Sequence, residues 1–317
     1  MSRVAAIDCG TNSIRLLVAD VTVHEDGRKD LRDVHREMRI VRLGQGVDAT
    51  GRLAPEALER TRAALVDYAM IAARRGVERV RMVATSATRD AANREDFFGM
   101  VRDTLGVDAE VITGDEEARL SFTGAVGDLA PEDGPFAVTD VGGGSTEVVV
   151  GTWDGAKADI TAAHSADIGC VRLTERCLHD DPPTAEQVAE SEKVARQVLD
   201  EAFARVDSSG VRTWVGVAGT VTTLAAIDQD LPEYDPQAIH LSQISQNCVE
   251  QIADRLLSMS HDERSAIGSL HPGRVDVIAG GAQVVKVLAD EFAERAGVTT
   301  MTASEHDILD GIALSIS

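Results

Sequence analysis

An internal repeat is the strongest constraint on what this chain can fold into. The segment Ala5-Ala6-Ile7-Asp8-Cys9-Gly10-Thr11-Asn12-Ser13-Ile14-Arg15 is answered 132 residues later by Ala137-Val138-Thr139-Asp140-Val141-Gly142-Gly143-Gly144-Ser145-Thr146-Glu147, with Asp, Gly and Ser in register. A second pair, Val83-Ala84-Thr85-Ser86 and Val217-Ala218-Gly219-Thr220, is offset by 134. Self-similarity at a nearly constant offset is the mark of a structural unit present twice. In both copies of the first motif an apolar strand ends in Asp, turns through small residues and leaves along another apolar strand. That pattern predicts hairpins with turns near Gly10 to Ser13 and Gly142 to Ser145. A recurring strand-turn string without shared architecture is the bland alternative.

Glycine-punctuated strands alternate with helical stretches along the whole chain, which argues for an α/β class. At 317 residues the chain exceeds one ordinary core and suits two. A duplicated α/β lobe fills that length, with lobes expected over 1–132 and 133–303. Apolar residues at 44% and charged residues at 26% allow a packed core. No apolar run approaches the ~18–20 residues of a membrane span. The N-terminus enters the strand-like Val4-Ala5-Ala6-Ile7 without a signal-peptide core, so a soluble cytoplasmic protein is expected. Four cysteines without a C-x-x-C pair fit a reducing compartment and disfavour structural zinc.

The formal charge of −22 repels polyanions at long range. Duplex nucleic acid and anionic membranes are therefore expected to be poor partners. Two Trp, two Tyr and six Phe are too few for a base-stacking platform.

The pattern between the repeats predicts a helix over 55–75, a strand over 80–84, a helix over 93–105, a strand near Val111 and a helix from about Asp115. In the second half, Thr184-x-x-Gln187 is a capping box opening a long helix. Further helices are expected over about 242–258, 276–295 and 305–316.

Several motifs carry chemistry, each with a plainer reading. Gly142-Gly143-Gly144-Ser145-Thr146 alone is a flexible turn. Directly after an Asp-ended strand, its backbone N–H groups can converge on an anion, and the neighbouring Asp can hold a cation. There is no Walker A loop, no G-x-G-x-x-G fingerprint and no G-x-S-x-G elbow. Gly114-Asp115-Glu116-Glu117-Ala118-Arg119 reads first as acids stabilised in a helix's first turn. Successive helical residues point ~100° apart, so at most one of Glu116 and Glu117 faces a cleft, where it can act as general base. Thr85-Ser86-Ala87-Thr88-Arg89 is either a helix cap with a surface Arg or a phosphate-facing loop, and Gly216-Val217-Ala218-Gly219-Thr220 is a similar turn. Arg15 and Glu147 hold equivalent repeat positions with opposite charge, which assigns anion binding to one lobe and metal binding to the other. The eight histidines lack metal-ligand spacing and read as structural or surface residues.

Together, the motifs at Ala6–Ser13, Ala84–Arg89, Gly114–Leu120, Asp140–Glu147 and Gly216–Thr220 closely resemble those of the exopolyphosphatase and guanosine pentaphosphate phosphohydrolase family. The resemblance spans most of the chain. It implies two ribonuclease-H-like lobes of the actin-like ATPase superfold, an active site in the cleft between them, and a C-terminal helix at 304–317 crossing back to the first lobe. By motif position, Glu117 is the base that activates water, and Asp140 and Glu147 hold an essential Mg²⁺, with Mn²⁺ as the alternative ion. Asn12, Ser13, Arg89, Gly143, Gly144, Ser145, Gly219 and Thr220 hold phosphates. The implied activity is release of orthophosphate from the end of inorganic polyphosphate, with short chains favoured because accessory helical domains do not follow the second lobe. Guanosine pentaphosphate is the alternative substrate, a non-catalytic polyphosphate or nucleotide sensor is a reading from another class, and homodimerisation is a family trait.

Overall fold

In the computed structural model, residues 1–316 are described, and Ser317, the last residue of the expected 304–317 segment, lies outside them. The chain divides into two compact units. One comprises Met1–Gly127, Asp154–Lys157 and Asp307–Ser317; the other comprises Asp128–Trp153 and Ala158–His306.

The first unit begins with β1 (Ser2–Cys9), β2 (Ser13–Val23) and β3 (Lys29–Ile40). The short α1 (Val47–Thr50), the long α2 (Pro55–Arg75), β4 (Arg79–Ala84), α3 (Ser86–Asp90), α4 (Arg94–Leu105), β5 (Ala109–Val111) and α5 (Gly114–Ala125) follow. The strands form one sheet in the order β3-β2-β1-β4-β5, antiparallel on the β3-β2-β1 side and parallel on the β1-β4-β5 side. This is the ribonuclease-H-like arrangement.

β1 is apolar from Val4 to Ile7 because both of its faces are covered there. Ala5, Ile7 and Cys9 join a core with Leu65, Tyr68, Phe97 and Val101, whereas Val4 and Ala6 join another with Leu120, Ile308 and Ile312. The period of two along the strand sends alternate residues to opposite faces. Pro55 starts α2 at a position where a missing N–H costs nothing, and Gly76, at φ 69°, ends it.

The second unit repeats the plan. β6 (Phe136–Val141), β7 (Thr146–Trp153), β8 (Ala158–Ala166), α6 (Cys170–Cys177), α7 (Ala185–Phe203), β9 (Thr213–Val217) and α8 (Ala218–Asp228) come first. They precede α9 (Pro236–Ile239), β10 (Gln243–Ser245), α10 (Gln246–Ser258), α11 (His261–Ser265), α12 (Ile278–Ala296) and β11 (Thr300–Ala303). The strand order β10-β11-β9-β6-β7-β8 is that of the first sheet, read from its other edge, with β10 added outside. Trp214 stacks on Phe292 with ring centroids 4.8 Å apart, at the centre of a core built from β9, α7 and α12. Thr184 caps α7 through the expected box with Gln187. The expected helix over 242–258 starts at Gln246 instead, because Gln243–Ser245 pair as a strand with Thr300–Thr302.

The chain returns to the first unit as α13 (Ile308–Ile316). Gly124 of α5 and Gly311 of α13 let the two helices pack backbone to backbone. A Cβ on Gly311 would overlap the Leu120 carbonyl, and one on Gly124 would overlap the Asp307 carbonyl. The second unit starts at Asp128 and ends at His306, rather than spanning 133–303. The Asp128 carboxylate is held by His240 and His306, and the Ser304 N–H donates to Gly216 O at 2.9 Å, which keeps both ends with the second sheet.

Candidate active site

Both expected hairpins form, and they match residue for residue. The Gly10 N–H donates to Ser13 O, and the Gly142 N–H to Ser145 O, each at 3.0 Å. Asp8 pairs across the strands with Arg15, and Asp140 with Glu147. Directly opposed residues share a face of the sheet with Cβ atoms ~5 Å apart, so each pair is one local electrostatic unit.

In the first unit that pair is an ion pair. The Arg15 guanidinium donates to Asp8 Oδ2 at 2.7 and 3.1 Å and also bonds Asp307. Burial pushes the Asp8 carboxyl up, against the pull of Arg15. Asp307 is pushed up by burial too, but Arg15, the Leu309 N–H and Arg36 outweigh it and bring the carboxyl below its usual range. Asp8 Oδ1 is buried with no hydrogen-bond partner. Neither Asp8 nor Asp307 was singled out as a site residue by the sequence; Asp307 lies 292 residues from Arg15, and no local pattern announces it.

The turn itself rests on a neighbouring segment: Thr11 O accepts from the Gly44 N–H, and Asn12 O from those of Val41 and Arg42, so Asn12 and Ser13 sit on a backbone fixed at both ends. α5 then settles the choice between its two glutamates. Thr113 caps the helix, accepting from the Glu116 N–H. Glu116 turns outward to pair with Arg81 at 2.7 Å, while Glu117 is 7% exposed and faces inward. Arg89, at the end of α3, reaches Glu117 Oε2 from Nη1 at 2.6 Å and the Ile112 carbonyl at 3.0 Å. The structure thus brings Arg89 and Glu117 together as an ion pair, a partnership that residues 28 apart did not advertise.

In the second unit the corresponding hairpin carries two acids. Asp140 and Glu147 are 6% and 1% exposed, and Ser165 Oγ donates to Glu147 Oε1 at 2.6 Å. Two carboxylates on adjacent buried positions repel, and an oxygen-only donor set of this kind suits a hard divalent cation such as Mg²⁺. The residues present fit that ion. The glycine turn beside them is clamped from behind: the Cys170 N–H donates to Gly142 O, and the Val171 and Arg172 N–H groups to Gly143 O. Gly169 is needed there, since a Cβ would overlap the Gly142 and Gly143 backbone. The peptide planes that carry the Gly143 and Gly144 N–H groups are thereby set by the first turn of α6.

The remaining expected pair, Gly219 and Thr220, opens α8 just after Ala218, which adopts φ 71°, a left-handed conformation uncommon for a residue with a side chain. Such strain is retained where surrounding structure enforces it, commonly at functional sites. The Arg274 guanidinium lies against Gly219 and donates to Gly219 O at 3.1 Å, so a side chain at this position would have to displace it. Arg274 follows a short turn at His271 and Pro272 and carries no motif, so the sequence did not mark it.

Duplicated ribonuclease-H-like sheets, each with a glycine-bearing turn after an Asp-ended strand, define the class of fold to which this chain belongs. The chain belongs to the Ppx/GppA phosphatase family, whose model matches residues 18–316. It is 56% identical over 322 residues to Exopolyphosphatase 2 of Mycobacterium tuberculosis strain H37Rv, an alignment covering 100% of this chain and 99% of that protein. Among solved structures, an exopolyphosphatase-like protein matches with a TM-score of 0.93 at 43% identity, over 100% of this chain and 98% of that one. The PPX-GPPA enzyme of Aquifex aeolicus matches with a TM-score of 0.78 at 33% identity, over 99% of each chain.

Proposed function

We propose that this protein is an exopolyphosphatase, a Mg²⁺-dependent hydrolase that removes the terminal phosphate of inorganic polyphosphate. The observation that carries the hydrolytic reading is Glu117, buried in the first turn of α5 with its carboxylate held by Arg89. Full-length similarity to Exopolyphosphatase 2 supports polyphosphate as the substrate.

Glu117 accepts a proton from the attacking water. The oxygen of that water bonds to the terminal phosphorus, the P–O bond to the penultimate phosphate breaks, and orthophosphate leaves with a polymer one unit shorter. Phosphoryl transfer needs mainly positioning and neutralisation of spreading charge. Asn12, Ser13, Gly143, Gly144, Ser145, Gly219 and Thr220 supply the phosphate contacts. Arg89 uses Nη1 to orient Glu117, and its Nε and Nη2, which make no hydrogen bond among the described residues, bind phosphate oxygen. Asp140 and Glu147 hold Mg²⁺, which when bound neutralises phosphate charge.

Phosphate release from polyphosphate and from guanosine pentaphosphate, measured side by side with Mg²⁺ and with excess EDTA, tests the proposal. Fast, Mg²⁺-dependent release from polyphosphate is expected. Preference for guanosine pentaphosphate would reassign the substrate, and binding of polyphosphate without phosphate release would make the protein a sensor.

A further inference from the structure

The histidines that the sequence leaves dispersed are not all solitary. Asp128 Oδ2 lies 2.5 Å from His306 Nδ1 and 3.4 Å from His240 Nε2, and the ligand atoms of the three residues all fall within 4.8 Å of one another. We propose that Asp128, His240 and His306 form a site for a borderline divalent cation of the Zn²⁺ or Co²⁺ type, separate from the carboxylates of the glycine hairpin.

Two imidazoles and one carboxylate are the donor set such ions prefer, whereas Mg²⁺ favours oxygen alone. The separation of 3.4 Å is long for a hydrogen bond. It is close to the edge of a tetrahedron around an ion with ~2.0 Å bonds, roughly 3.3 Å. His306 Nδ1 has to retreat from Asp128 Oδ2 by under ~1 Å to open that edge to the same length. The site is reachable: the side chains of Asp128, His240 and His306 are 43%, 23% and 36% exposed.

The surrounding backbone holds the ligands in place. The His306 N–H donates to Ser304 Oγ at 3.0 Å, and that hydroxyl donates to His306 O at 2.9 Å. The Tyr234 hydroxyl donates to Glu305 Oε1 at 2.5 Å. The Glu305 N–H faces His240 Nδ1 at 3.3 Å. Coordination through Nε2 puts the ring proton on Nδ1 and breaks that contact, which makes His240 the weaker of the two imidazole ligands. Asp128 is the first residue of the second unit and His306 its last, while His240 lies between α9 and β10. An ion held here ties both ends of that unit to its body.

Titration of the intact protein with Co²⁺ at saturating Mg²⁺, read by visible ligand-field absorption and by competition with a chromophoric chelator, tests the site directly. One equivalent is expected in the wild type and in Glu147→Gln, with affinity at least ~10-fold lower in His306→Ala and a smaller loss in His240→Ala. Asp128→Asn, which preserves shape at an exposed position, provides a second weakened variant should a histidine variant fail to fold by circular dichroism. Unchanged titration in folded His306→Ala or Asp128→Asn would overturn the proposal. So would loss of the absorption in Glu147→Gln, which would put the ion at the glycine hairpin, or no absorption in the wild type.

Discussion

In the hairpin β1-β2, Asp8 faces Arg15 across the strands; at the same register of β6-β7, Asp140 faces Glu147. The backbone is shared and the charge is not. Arg15 spends its guanidinium on Asp8 and on Asp307, the residue just before α13, so the first copy ties the C-terminal helix into its own unit. The second copy places two buried acids opposite one another. Duplication thus gave one copy of the motif an ion pair and the other a pair of acids, and the residue opposite the aspartate, Arg15 or Glu147, makes the difference.

Rewriting the second hairpin as the first should have the largest effect. Glu147→Arg places a guanidinium opposite Asp140, and Mg²⁺-dependent hydrolysis is expected to fall ~10³-fold or more, with the circular dichroism spectrum retained. Persistent Mg²⁺-dependent turnover would break the comparison. The reverse disruption, Arg15→Met, leaves Asp8 buried without its cation and Asp307 without the guanidinium bonded to it, and is expected to cost ~3–5 kcal/mol in urea unfolding. A loss below ~1 kcal/mol would show that the pair carries little structural weight.

Gly311→Ala probes the docking that Asp307 begins. Its Cβ meets the Leu120 carbonyl, so a loss of ~1–3 kcal/mol is expected, while Gly106→Ala, at a helix end with open space around it, serves as the contrast for positive φ alone.

The smallest effect is a pH dependence within the same hairpin. The Arg3 hydrogen bond, with Arg32 assisting against burial, lowers the Asp20 carboxyl from 3.8 to about 2. A depressed folded value gives stability that is complete above the unfolded value and is lost as pH falls through the folded one. Because Arg32 is 74% exposed, solvent screening limits the contribution to about 1 kcal/mol. Asp20→Asn should therefore be less stable than wild type by about that amount at pH 7, and the difference should vanish on approaching pH 2. A difference that grows on acidification would contradict this assignment.

Much of the fold could be read from the chain because its signals are local. The repeat located both hairpins, the pattern over 55–75 with Pro at its start marked α2, and the Thr184 box marked the start of α7. That at most one of Glu116 and Glu117 faces inward followed from helical geometry, whereas the choice of Glu117 came from the family resemblance, and the structure buries Glu117 while Glu116 pairs with Arg81. What escaped was made by chain returns. Asp307 reaches Arg15, Arg274 reaches Gly219, and His240 and His306 converge on Asp128, each across long stretches of sequence without a motif. β10 was absorbed into a helix because its three residues become a strand only when Thr300–Thr302 pair with them.

The central claim is that Glu117, oriented by Arg89, is the base for water. Its most direct test is the rate of phosphate release from polyphosphate by Glu117→Gln at saturating Mg²⁺, with folding verified by circular dichroism. The account predicts a fall of at least ~100-fold, the usual cost of losing a positioned base. Turnover near that of the wild type would remove Glu117 from the mechanism.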